Sequence, residues 1–112
     1  MDSPPLDATL AQAREILSSE ASFIGHEYAA DENGVWKPVG SREAARFSLW
    51  GALMRAGANT DILTEARELF SRIAPTATAK LRTGKLTYAE TLALLDTALA
   101  ALGERHSDSM QP

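Results

Sequence analysis

The chain has 112 residues, a formal net charge of −4 and no cysteine, which sets aside a disulfide framework, a thiolate nucleophile and any cysteine-held zinc or iron–sulfur centre. Its length suits one domain, 1–103, able to bury about 65% of the surface an unfolded chain exposes. The start Met1-Asp2-Ser3-Pro4-Pro5 lacks the basic and apolar regions of a signal peptide, and no apolar run nears the ~20 residues of a membrane span, so the chain reads as soluble and cytoplasmic, with no membrane partner.

Ser3-Pro4-Pro5 reads as a helix entry, with Ser3 or Asp7 as cap and proline confined to the first turn. Leu6, Leu10, Ala13, Ile16 and Leu17 then recur at helical spacing, which predicts a first helix over 5–19. From Phe23 to Val39 the pattern changes: aromatic and β-branched residues flank Asp31-Glu-Asn-Gly34, a strong hairpin signal. A hairpin at 23–39 follows, with its register open and with Pro38 placing the second strand at an edge or at its last paired position.

Within the run Ser41 to Gly57, the stretch from Ala44 to Ala56 is apolar on nearly every side of a helical wheel. The expected helix, 42–56, is capped by Ser41 and ended by Gly57, and neighbours must wrap it. Arg42, Arg46 and Arg55 form its only polar strip. Gly51 costs about 1 kcal/mol against alanine in a helix interior, so its role is to admit another backbone beside Trp50. Asn59-Thr60-Asp61 caps a third helix, 61–73, closely followed by Pro75; Thr76 to Lys85 fits either a short helix or a loop. The last helix, 87–102, opens on the capping box Thr87-Tyr-Ala-Glu90 and carries Leu92, Leu95, Leu99 and Leu102 to Gly103. Residues 104–112 hold too little apolar content to order themselves and read as a disordered tail. The class is mainly α: a four-helix compact domain with one β-hairpin inserted between helices 1 and 2.

No motif of high specificity for catalysis, metal or cofactor is present. His26 and His106 are the only histidines. Neighbouring strand residues point to opposite faces, so His26 and Glu27 cannot converge on one ion. Asp31 and Glu32 read as turn residues, and Asp96, set in an apolar helix, reads as the ion-pair partner of Arg46 or another arginine of the strip. Trp50 reads as core. Trp36 on an edge beside Lys37 is the stronger candidate for binding a partner.

The segments Asp31-x-x-Gly34, Ser41-x-Glu43-Ala44-x-Arg46-Phe47-Ser48-x-x-Gly51-Ala52-Leu53 and Thr87-x-x-Glu90-x-x-Ala93-Leu94-Leu95-Asp96-x-Ala98 resemble a family of small bacterial and phage proteins of unknown function. That family has cysteines where Ala45 and Ser48 stand, and a Trp-Asn-Asp stretch near Ala79-Lys80-Leu81. The shared residues are capping, turn and small packing positions, so the resemblance implies a common fold and no activity.

Between Glu15 and Trp36 there are five acids and no base, whereas Lys37 to Arg55 holds four bases against Glu43 alone. These features predict a non-enzymatic interaction module, a regulator or inhibitor acting on a protein partner and carried by a phage or mobile element, with no cofactor and no metal. Glu27, Asp31, Glu32, Trp36 and Lys37 form its expected partner-binding surface; the acidic balance argues against nucleic acid, and association between copies is open. The alternative is a small-ligand-binding or hydrolytic domain with His26, Tyr28, Arg46 and Asp96 around Trp50.

Overall fold

The computed structural model describes residues 5–25 and 27–110, with side chains as far as 103. Among these residues there are five α-helices and one very small sheet, in the order α1 (Leu6–Ile16), a 3-10 turn (Glu20–Ser22), β1 (Ala29–Ala30), β2 (Arg46–Phe47), α2 (Leu49–Arg55), α3 (Thr60–Ile73), α4 (Pro75–Arg82) and α5 (Tyr88–Met110). The mainly helical class holds; the helix count rises from the expected four to five. None of these helices is long and apolar enough to cross a membrane.

The first helix starts after Pro5, whose carbonyl accepts the Thr9 N–H at 3.0 Å; Asp7 lies inside the first turn rather than at the cap, and Ser3 is outside the described residues. Leu10, Ala13 and Leu17 are fully buried, and α1 lies against α2 and α5.

The expected helix over 42–56 is much shorter, because its first half is spent on the sheet. Ser41 Oγ accepts the Glu43 N–H at 3.1 Å in a local turn, the Ala45 N–H donates to the Ala30 carbonyl at 2.8 Å, and β2 pairs antiparallel with β1, Ala29 opposite Phe47 and Ala30 opposite Arg46. Ser48, not Ser41, is the cap, accepting the Gly51 N–H at 3.2 Å. An all-round apolar run cannot distinguish a buried strand from a buried helix, and here it contains one of each.

The expected 23–39 hairpin is also redistributed. A turn does form at 31–35: the Gly34 N–H reaches the Asp31 carbonyl at 3.0 Å with Gly34 at φ +85°, and the Asp31 N–H reaches the Val35 carbonyl at 2.9 Å. Its return arm is reduced to a single bridge between Ala30 and Trp36. The Lys37 N–H still donates to the Ala29 carbonyl at 3.1 Å, but Pro38 has no N–H to continue the ladder. β1 therefore pairs mainly with 46–47, and Trp36 flanks its other side.

Gly51 fills the role its position implies. A β-carbon there would overlap the Tyr28 carbonyl oxygen and lie 2.6 Å from its carbon, so the start of α2 can rest on the strand entry only because residue 51 has no side chain. Trp50 beside it is half-buried, its ring 5.8 Å from Phe70 in a tilted pair.

Asn59 caps α3 through its side-chain oxygen, which accepts the Ile62 N–H at 2.9 Å. The ambiguous stretch after it resolves as α4, opened by Pro75 at a first-turn position, where its missing N–H is no loss. The Thr87–Glu90 capping box closes in both directions, each backbone N–H meeting the other side chain at 3.1 Å. Gly103 lies within α5 rather than ending it, and the expected disordered tail, 104–112, falls outside the residues whose side chains are described. Tyr88 ties the ends of the fold together: its hydroxyl donates to the Leu17 carbonyl at 2.7 Å, and its ring stands 5.6 Å from Phe23. Phe70, Leu49, Leu53 and Leu95 form the fully buried centre.

Candidate functional site

An open cleft of about 470 Å³ lies between residues flanking the sheet and the end of α4. Gly25, Glu27, Tyr28 and Trp36 contribute from the sheet side, Ser48 and Trp50 from the start of α2, and Leu81 to Gly84 from the end of α4. Three of its linings are aromatic, and two of those are largely in solvent: Tyr28 is 55% exposed and Trp36 58%. Val35, adjacent to Trp36, is 58% exposed as well.

These exposures stand out against the other aromatic residues. Phe23 pairs with Tyr88, Trp50 pairs with Phe70 and lies 5.9 Å beneath the Arg67 guanidinium, and Phe47 lies 5.6 Å beneath that of Arg55. Of the seven aromatic side chains, only Tyr28 and Trp36 have neither a ring nor a cation against them among the described residues. They share one cleft.

The charged residues of the expected surface divide into committed and uncommitted groups. Asp31 is committed to the turn: its Oδ1 accepts the N–H groups of Val35 and Asn33, each at 2.9 Å. The Val35 bond does most to hold its carboxyl below the usual value, partly offset by desolvation and assisted by Asn33, Lys37 and Arg46. Lys37 is paired with Glu43 at 2.7 Å, and that hydrogen bond raises its pKa. Glu27, half-buried in the cleft, and the exposed Glu32 side chain have no hydrogen-bond or ion-pair partner among the described residues.

The expected helical strip of Arg42, Arg46 and Arg55 does not form, because Arg42 lies in a turn and Arg46 in β2; Arg46 and Arg55 instead clamp the 32–41 loop. Arg46 donates from Nη2 to the Glu32 carbonyl at 2.8 Å while its Nε is buried without a partner. Arg55 donates from Nη1 to the carbonyls of Val39 and Ser41 at 2.7 and 3.0 Å. Asp96 pairs with Arg14 on α1 at 3.0 Å, not with the strip, because α1 and α5 are direct neighbours. Of the alternative quartet, Tyr28 lines the cleft with Trp50, Arg46 and Asp96 do not, and His26 lies outside the described residues. No group of three or more His, Cys, Asp or Glu among the described residues is placed to hold a metal ion.

The cleft brings Trp36 and Glu27 of the expected surface together with Tyr28 of the alternative site, and with Arg82 and Thr83, to which the sequence assigns no role. The sequence around Arg82 and Thr83 is basic, with Lys80 and Lys85 on either side, but charge alone does not say what such a segment faces. No family model, no curated protein and no solved structure matches this chain.

Proposed function

We propose that this chain is a non-enzymatic interaction module that docks a protein partner at the cleft between the 28–36 segment and the end of α4. The observation that carries the reading is that Tyr28 and Trp36, which line one cleft, are both more than half exposed and are the two aromatics without an intramolecular ring or cation partner among the described residues. Exposed tryptophan and tyrosine bring large contact area at small conformational cost and dominate measured hot spots. Glu27 and Glu32 supply unpaired negative charge near this surface, which favours a basic partner and speeds its encounter. A regulator or inhibitor role, encoded by a phage or mobile element and related to the small proteins of unknown function that the motifs resemble, goes with docking of a protein partner at this surface.

The test is capture from the native host with the parent chain and with Trp36→Ala as parallel baits. The expected outcome is a protein retained by the parent and lost from a variant that melts normally. The same proteins on both baits would overturn the assignment to this surface.

A further inference from the structure

We infer that the cleft receives an arginine side chain of the partner, its guanidinium lying against the faces of Tyr28 and Trp36 with the Glu27 carboxylate as counter-charge. The inference rests on the docking reading above and names what docks. Elsewhere the fold already shows a preference for this contact: Arg55 covers Phe47 and Arg67 covers Trp50. Tyr28 and Trp36 present the same kind of ring to a cleft that holds an unpaired carboxylate. Cations are drawn to aromatic faces, and guanidinium, being planar and weakly hydrated, stacks there and can still bind a carboxylate through its edge.

An anionic ligand is the chemical opposite, and Arg82 at the end of α4 would be its anchor. The backbone speaks against it. The N–H groups of Thr83 and Lys85 donate to the Lys80 carbonyl and that of Gly84 to the Leu81 carbonyl, so this turn has no main-chain donor left for an anion. The Thr83 hydroxyl donates to the Lys80 carbonyl, and Ser48, at the start of α2, spends its N–H on the Tyr28 carbonyl while its hydroxyl oxygen accepts the Gly51 N–H, which leaves the cleft floor few donors for an anion. What Arg82 does bring is positive charge on an exposed, unpaired side chain, which opposes an incoming cation. Removing it should therefore strengthen binding.

The probes are acetyl-Gly-Gly-X-Gly-Gly-amide peptides with X as arginine, its neutral isostere citrulline, lysine or glutamate, titrated into the full chain while the indole N–H resonances of Trp36 and Trp50 are followed. The arginine peptide should shift the Trp36 signal saturably, with citrulline about tenfold weaker. Glu27→Gln should weaken the arginine peptide and Arg82→Gln should tighten it roughly two- to fivefold. Equal binding of arginine and citrulline, equal binding of arginine and lysine, tighter binding of the glutamate peptide, or loss of binding in Arg82→Gln would each overturn the inference. The docking reading fails separately: if the arginine peptide has no effect while Trp36→Ala still loses the captured partner, the inference falls and the docking surface stands. If the arginine peptide binds as expected while capture is indifferent to Trp36→Ala, the cleft is a guanidinium site and the docking assignment falls.

Discussion

Gly51 and Tyr28 meet backbone to backbone, with the Tyr28 carbonyl occupying the volume a side chain at 51 would need. Gly51→Ala gains about 1 kcal/mol of helix propensity but must push α2 off the strand entry. Overpacking of this kind costs typically 1–3 kcal/mol, and here the obstructing atoms are main chain with no rotamer to change. Net destabilisation is expected in urea melts, with Gly51→Leu worse. A Gly51→Ala chain more stable than the parent would remove the close approach from the account.

Leu95 is fully buried in the same core as Leu53 and Phe70. Leu95→Ala should cost about 2–5 kcal/mol, read as a lowered denaturation midpoint at unchanged slope. An unchanged midpoint would mean that α5 packs through other residues.

Asp31 makes the 31–35 turn sensitive to acid. Its folded-state pKa is lowered, chiefly by the Val35 N–H, so its contribution is complete above the unfolded value of 3.8 and is lost as pH falls through the lower folded value. A carboxyl titration followed by NMR should place its midpoint below that of an unstructured aspartate, and Asp31→Ala should reduce the loss of turn stability on the acid side. The same bonding makes Asp31 a poor site for charge reversal, because lysine there would destroy the turn that carries Trp36.

Glu32 is the cleaner electrostatic probe, its side chain being exposed and unpaired. Glu32→Lys should slow association with a basic partner and flatten its salt dependence while leaving dissociation nearly unchanged. Stopped-flow rates at two ionic strengths measure this directly, and a change confined to dissociation would place Glu32 inside the contact rather than beside it.

Thr87→Ala removes one half of a capping box that closes in both directions and should cost about 1 kcal/mol. Glu90 also bonds Lys80, which does most to lower its pKa, with the Thr87 N–H assisting. Glu90→Ala should therefore destabilise the α4–α5 junction beyond the loss of a cap, as the difference between the two melts will show.

Local chemistry was readable wherever a single side chain settles a backbone position. Thr87 and Glu90 marked α5, Asn59 marked α3, and a glycine inside a strong apolar run marked the approach of Tyr28. Misreading came where one residue serves two elements or where the decision is tertiary. Pro75 reads as the stop of α3 and is also the opening of α4. Ser48 looks like the interior of a helix because Phe47 before it and Leu49 after it are both apolar, and only the bonds from Ala45, Ser48 and Ile24 to the sheet partition that run. The cleft depends on residues 28, 36 and 81–84 meeting in space, and nothing in their sequence spacing encodes that encounter.

The pairing of β1 bears on the timescale of the cleft. The main chain of β1 and the residue before it is gripped by three bonds from two segments: Tyr28 and Ala30 accept from Ser48 and Ala45 of the 45–48 stretch, and Ala29 accepts from Lys37. Ala29 and Ala30 are themselves fully buried. Breaking these bonds exposes the strand only if α2 and the 36–37 arm also leave, so the Ser48, Lys37 and Ala45 amides should exchange with solvent as one group, at rates near those of global unfolding. The cleft's aromatic wall is then as durable as the core beneath it, and its side chains can reorient in nanoseconds on a backbone that opens only when the whole protein does.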